Sequence, residues 1–201
     1  MNKNTNTAEN GTEKESLASS IFDVMEILVF AACFVMLFYA FVARLCRVSG
    51  SSMDQTLADG QMIVVSNIGY EPQTGDIVVF HQTGTRFIDL NEPIVKRVIA
   101  TEGQTVDIDF PTWTITITDT DGSTHVLDES KYRYLDTGYT VLGSDYDFPL
   151  TVPEGEIFVL GDNRNHSTDS RSFLIGTVDK RRILGKAIFR FLPIDKFGGL
   201  G

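Results

Sequence analysis

An uninterrupted apolar run from Ile27 to Ala43, bounded by Glu26 and Arg44, limits what this 201-residue chain can fold into more than any other feature. A helix rising 1.5 Å per residue needs about 20 apolar residues to cross a hydrocarbon layer, and the run with its flanks approaches that length. It is rich in Phe, Val, Leu and Ala and carries no charge. The expectation is a transmembrane anchor over 21–46. The competing reading is a cleaved export signal. Against it stand the long polar stretch before the run and the lack of a small-x-small site after it. Ala43-Arg44-Leu45-Cys46 also lacks the small residue that precedes a lipid-modified cysteine.

The flanks are polar and uneven. Residues 1–20, rich in Asn, Thr, Glu and Ser, hold too few bulky apolar side chains to offset the entropy of ordering, so they are expected to form a disordered tail. Lys3 and Lys14 precede the span, whereas Arg44 and Arg47 follow it more closely. By the positive-inside tendency alone, the N-terminus would lie outside.

Residues 47–201 contain 14 Lys plus Arg against 22 Asp plus Glu, a net charge of −8. That balance argues against a nucleic acid held by phosphate neutralisation. Cys33 and Cys46 both lie in or beside the span, so the region beyond it has no disulfide and depends on an apolar core. His81, His125 and His166 lack paired ligand spacing, and neither a metal nor another cofactor is expected. Nothing in the sequence sets an oligomeric state.

The region beyond the span reads as mostly β. Strands are predicted at 62–66, 76–81, 94–100, 105–109, 112–118, 156–160 and 183–191, segments rich in Val, Ile, Phe or Thr. Thr114-Ile115-Thr116-Ile117-Thr118 alternates as a half-exposed strand should. Asp59-Gly60, Gly75-Asp76, Glu102-Gly103 and Asp121-Gly122 mark turns. The acidic, aromatic stretch 132–147 reads as an insertion or long loop.

Three segments carry chemistry. Lys96 sits inside Pro93-Ile94-Val95-Lys96-Arg97-Val98-Ile99-Ala100, and a lysine buried in such surroundings has a lowered pKa and serves as a base near neutral pH. Val48-Ser49-Gly50-Ser51-Ser52-Met53 is a small-residue turn that can present a serine hydroxyl, which suggests a nucleophile deprotonated by a neutral amine. Gly161-Asp162-Asn163-Arg164-Asn165-His166-Ser167-Thr168-Asp169-Ser170-Arg171 is a polar loop launched from a predicted strand. The bland alternatives are an edge-strand lysine facing solvent and an ordinary surface turn. A Ser-His-Asp arrangement drawing on His81, His125 or His166 is the rival enzymatic reading, with His166 beside Ser167 and between Asp162 and Asp169.

Taken together, these segments resemble the type I signal peptidases, membrane-bound serine proteases that remove signal peptides from exported proteins. Gly50 to Leu57 is similar to the family's nucleophile box, Gly75 to Phe80 to its next strand, Lys96-Arg97-Val98-Ile99 to its base box and Gly161 to Arg171 to its last box. The resemblance covers most of 48–192. It implies a β-rich catalytic domain behind a single N-terminal membrane helix, with Ser52 as nucleophile and Lys96 as general base. By the same resemblance, Ser167 hydrogen-bonds and orients the amine, and Asp169 pairs with Arg171 to brace the loop. Val48, Met53, Leu57, Ile94 and Val95 would line shallow apolar pockets for small substrate side chains. The implied partners are the signal peptides of preproteins and the lipid bilayer, with the catalytic domain outside the cell membrane, opposite to the arginine bias.

Two positions depart from the family pattern. Gln55 stands where members usually have proline, which would fix φ. Gly50 stands where some members place a Ser or Thr whose hydroxyl serves the oxyanion hole, leaving the Ser52 N–H and a main-chain or water donor for that task. Self-cleaving repressors also pair serine with lysine, but they need a DNA-binding module where this chain has its span. A silent, membrane-tethered module that holds extended peptides at a strand edge is the non-enzymatic alternative.

Overall fold

The computed structural model describes residues 6–41, 44–82, 93–135 and 143–200. They fall into two units, one ending at Val42 and one beginning at Ala43.

The first unit is a single helix, α1 (Asn6–Phe41). Its segment Ser20–Leu37 is unburied within the structure and is long and apolar enough to cross a membrane. The apolar residues surround the helix instead of forming a stripe, as suits a helix solvated by lipid on all sides. The expected disordered tail is corrected here, because α1 runs back to Asn6. Ala8, Glu9, Glu13, Lys14, Glu15, Leu17 and Ala18 have favourable helix propensity and extend a helix already nucleated by the apolar run. Residues 1–5 of that tail lie outside the described residues. The anchor's far bound is also corrected, since Arg44–Arg47 forms a strand of the second unit.

The second unit is mostly β. In chain order its strands are β1 (Arg44–Arg47), β2 (Met62–Ser66), β3 (Ile77–Phe80), β4 (Ile94–Thr101), β5 (Thr105–Asp109), β6 (Thr114–Thr118), β7 (Thr124–Val126), β8 (Leu150–Thr151), β9 (Glu156–Leu160), β10 (Val178–Asp179), β11 (Ile183–Leu192) and β12 (Gly198–Gly199). The larger sheet has the order β1-β2-β11-β3-β4-β9-β10, with β12 on β11, and the smaller the order β7-β6-β5-β8. All seven predicted strands are present. Those overlooked are short pieces of two to four residues, which carry little pattern. The predicted 112–118 strand begins only at Thr114, because Trp113 takes a left-handed backbone with φ 55°.

Alternation and burial agree along β6, where Ile115 and Ile117 are buried and the threonines lie at intermediate exposure. They join Val106, Ile108, Phe158 and Leu160 in a core between β5, β6 and β9. Each such side chain contributes roughly 1.5–3 kcal/mol on full burial. On β4, by contrast, Val95 through Ala100 are all buried. Successive side chains point to opposite faces, so covering both faces buries Lys96 as well as Arg97. The β11 register shifts between Ile183 and Gly185. At Gly185 an added Cβ would lie 2.4 Å from the Ser66 carbonyl oxygen, so only glycine fits that bulge.

Candidate active site

Strand β4 carries Lys96 and the turn after Val48 carries Ser52. Val48 N–H donates to Gln61 O at 2.8 Å and Gly60 N–H donates to Val48 O at 2.9 Å, closing the 48–61 loop. Within it, Asp54 N–H donates to Ser51 O at 3.1 Å, while Thr56 and Leu57 N–H donate to Met53 O at 3.1 and 2.7 Å. Met53 and Leu57 are plugged into the core, which leaves Ser52 between them and the surface at intermediate exposure. The Ser52 N–H makes none of these turn hydrogen bonds. Gly50 N–H is occupied by Asp59 Oδ1 at 2.8 Å.

Lys96 Nζ lies 2.6 Å from Ser52 Oγ in a hydrogen bond and also donates to Val95 O at 3.2 Å. The lysine is 4% exposed. Burial lowers its pKa from 10.5 to about 8. Asp169 works against that fall, Arg171 assists it and Asp162 opposes it. A substantial fraction of neutral amine is therefore present near physiological pH.

The loop from Gly161 to Arg171 locks both partners. Asp162 is fully buried; its Oδ1 accepts Arg97 Nε at 2.9 Å, and its Oδ2 accepts Arg97 Nη2 at 2.7 Å and Thr56 Oγ1 at 2.6 Å. One carboxylate thus ties the Ser52 turn to β4. Asn163 N–H donates to Ser52 O at 3.0 Å, and Asn163 Nδ2 donates to Ser51 O at 3.0 Å. Asp169 accepts Arg171 Nε at 2.7 Å, Arg171 Nη2 at 2.9 Å and Gly161 N–H at 3.0 Å. Burial acts to raise the Asp169 pKa, but the Arg171 ion pair and the Gly161 N–H outweigh it and hold the carboxyl below its ordinary value.

The structure therefore brings together Ser52 and Lys96, and pairs Asp169 with Arg171. The implied contact between Ser167 and the amine is not made: Ser167 Oγ is buried with no partner in hydrogen-bonding geometry, and its nearest polar influence is on the Asp169 carboxylate. The Ser167 side chain instead packs against Gly161, where an added Cβ would lie 2.2 Å from Ser167 Oγ and 2.6 Å from Ser52 O. That close approach leaves room for no side chain at position 161. Of the implied pocket residues, Val48, Met53, Leu57 and Val95 share one core cluster. Ile94 is separated from them and packs against a second cluster with Val78, Phe80 and Val98. Strand alternation explains the split between Ile94 and Val95.

Sequence reasoning passed over Asp162, Asn163, Glu129 and Arg164 as working residues. Arg164 is buried and forms a two-point ion pair with Glu129, with Nη1 to Oε2 at 3.0 Å, while its Nε donates to Gly161 O at 2.9 Å. Arg97 stacks under Tyr132, 4.0 Å from the ring centroid. Tyr132 opens the stretch expected to be a long loop, of which 136–142 lies outside the described residues. The partners that the side chains of Asp162, Asn163 and Arg164 hydrogen-bond outside their own loop leave no local spacing signal, since they lie from 35 to 112 residues away. The histidine alternative gains no geometric support at His125, which is engaged by Asp119 on the smaller sheet. Among the described residues no cluster could hold a metal ion.

Comparison with known proteins gives the family. The family model described as "Signal peptidase, peptidase S26" matches residues 21–192. A probable signal peptidase I-1 of Synechocystis sp. is 35% identical over 87% of this chain and 84% of its own length. Signal peptidase I of Bacillus licheniformis is 34% identical over 94% of this chain and 97% of its own. A solved signal peptidase I from Enterococcus faecalis aligns at a TM-score of 0.42 and 31% identity, covering 58% of this chain and 97% of that one. With the family model running from within α1 through the turn that carries Ser52, β4 and the 161–171 loop, the chain belongs to the signal peptidase family, peptidase S26.

Proposed function

We propose that this chain is a membrane-anchored serine endopeptidase that removes signal peptides from exported preproteins, with Ser52 as nucleophile and Lys96 as general base. The observation that carries the reading is the 2.6 Å contact between Ser52 Oγ and an amine whose pKa burial lowers to about 8. The neutral amine accepts the Ser52 proton as Oγ attacks the scissile carbonyl. The Ser52 N–H would donate to the oxyanion. The resulting ammonium gives its proton to the leaving amine, releasing the mature N-terminus and leaving an acyl-Ser52 ester. The amine then activates water to hydrolyse the ester.

Asp169, with both oxygens engaged by Arg171, is kept from pairing with the ammonium, which would otherwise hold the base charged. Val48, Met53 and Leu57, 0–2% exposed, would back the pockets from within the core, and Val95, 7% exposed, would meet the small side chains at the residue before the cut and two positions earlier. Ile94 contributes from the adjoining cluster. Gly50, with φ 84° and open space around its Cα, lets the turn approach an extended substrate. One N-terminal apolar helix fits a single-pass anchor. We place the catalytic unit on the extracytoplasmic face of the cell membrane, where an exported signal emerges.

The test is cleavage of a preprotein by the detergent-solubilised enzyme. Ser52→Ala and Lys96→Ala should each abolish it, the double variant should lose little more, and Ser51→Ala should be mild. An inactive Ser51→Ala beside an active Ser52→Ala would refute the assignment. Equal cleavage of substrates carrying Phe or Ala before the cut would instead refute the preference for small residues.

A further inference from the structure

Trp113 is the chain's one tryptophan, and the chemistry above does not use it. It lies at the connection between β5 and β6, is 4% exposed, and holds a left-handed backbone that bulky residues seldom adopt unless their placement recovers the cost. Its ring centroid is 5.2 Å from the Arg171 guanidinium carbon and 5.8 Å from that of Arg164. Arg133 Nη1 donates to its carbonyl oxygen. Arg171 uses its guanidinium edge on Asp169, Arg164 O and Ser167 O, and Arg164 uses its edge on Glu129 and Gly161 O. Their planar faces remain for a π surface.

The tryptophan is itself held from behind. Phe110 meets it edge-on at 5.5 Å, Phe148 meets Phe110 at 5.9 Å, and Phe158 of β9 meets Phe148 at 6.0 Å. Strand β9 is also the strand from which the 161–171 loop departs. The smaller sheet therefore grips both the root of that loop and its two arginines.

We propose that Trp113 is a positioning residue for the catalytic loop, its indole fixing Arg171 and, through Arg171, the Asp169 carboxylate that must stay turned away from Lys96. This rests on the Ser52–Lys96 reading above. The charges acting on Lys96 are Asp169, Arg171 and Asp162, with neighbouring Arg97 held by Asp162. Loosening Arg171 removes a cation that favours the neutral amine and frees a carboxylate that favours the ammonium. Both changes raise the pH at which the base becomes active.

The experiment compares pH–rate profiles of the full-length, detergent-solubilised parent, Trp113→Leu and Trp113→Phe. In Trp113→Leu the acid limb should move up by about 0.5–1 pH unit, lowering turnover at pH 7 about 3- to 10-fold with recovery at high pH and little change in KM. Trp113→Phe keeps a ring face and should restore most of the parent profile. A side chain that only fills the core would lower Tm and leave the limb in place. An unmoved limb in Trp113→Leu, or a Phe variant no better than Leu, overturns the proposal. An arm independent of activity uses the single tryptophan's own emission, which Arg171→Met should alter in a Ser52→Ala background. Unchanged emission removes the contact whatever the enzyme's activity, and separates this failure from failure of the Ser-Lys reading. That arm and the Phe variant also decide the matter if Trp113→Leu does not fold.

Discussion

Replacing Lys96 by methionine should abolish cleavage and stabilise the fold at neutral pH, because the amine that makes the chemistry possible is costly to bury. Lys96 is 4% exposed, and burial is the largest cause of the fall in its pKa from 10.5 to about 8. At about 1.4 kcal/mol per pH unit, that fall corresponds to about 3 kcal/mol of lost stability wherever the unfolded chain carries the charge. The sign follows from the folded value being the lower one. The cost is complete below pH 8, where both states are protonated, and is relieved as the pH rises from 8 to 10.5. Methionine has similar length and no charge, but it gives up the hydrogen bonds to Ser52 Oγ and Val95 O, worth about 1 kcal/mol. The net gain is about 2 kcal/mol at pH 7 and close to nothing by pH 10. Urea unfolding of the detergent-solubilised protein, followed by Trp113 emission at both pH values, measures it. A Lys96→Met chain less stable than the parent at pH 7, or a difference between the two that does not change up to pH 10, would refute burial as the source of the base.

Two further substitutions probe the loops around that amine. Gln55 holds φ 79°, which proline cannot adopt, so Gln55→Pro should cost activity at least about tenfold while Gln55→Gly should gain about 0.5–1 kcal/mol. Comparable activity and Tm for Gln55→Pro and the parent would show that the turn does not need this backbone. Asp162→Asn leaves buried Arg97 without its counter-charge and should destabilise the domain by about 3–5 kcal/mol. A loss below about 1 kcal/mol in urea unfolding would show that the carboxylate does not hold the turn to β4.

The β architecture was legible because each long strand carries its own pattern: alternation in Thr114–Thr118, and a continuous apolar run in Ile77–Phe80. The departure at Gln55 could be seen as a missing proline, but the consequence could not. The sequence suggested only a looser turn, whereas the structure has a different one, closed through a left-handed residue. The tail was misjudged for a related reason. Composition measures whether a segment can build a core, and Asn6 to Ser19 needs none when it continues a helix already nucleated by its neighbour.

By itself the sequence determined the long apolar helix, the strands and the identities of a serine, a lysine and a polar loop, since these depend on local composition and periodicity. Only the tertiary structure decided that Ser52 and Lys96, 44 positions apart, meet at 2.6 Å. It alone decided that Asp162 binds both Arg97 and Thr56, that Ser167 packs against Gly161, and that Trp113 lies over the arginines of the loop. Such contacts join residues far apart in the chain and leave no spacing to read. The pKa of Lys96 belongs with them, because desolvation is a property of what surrounds a group once both faces of its strand are covered.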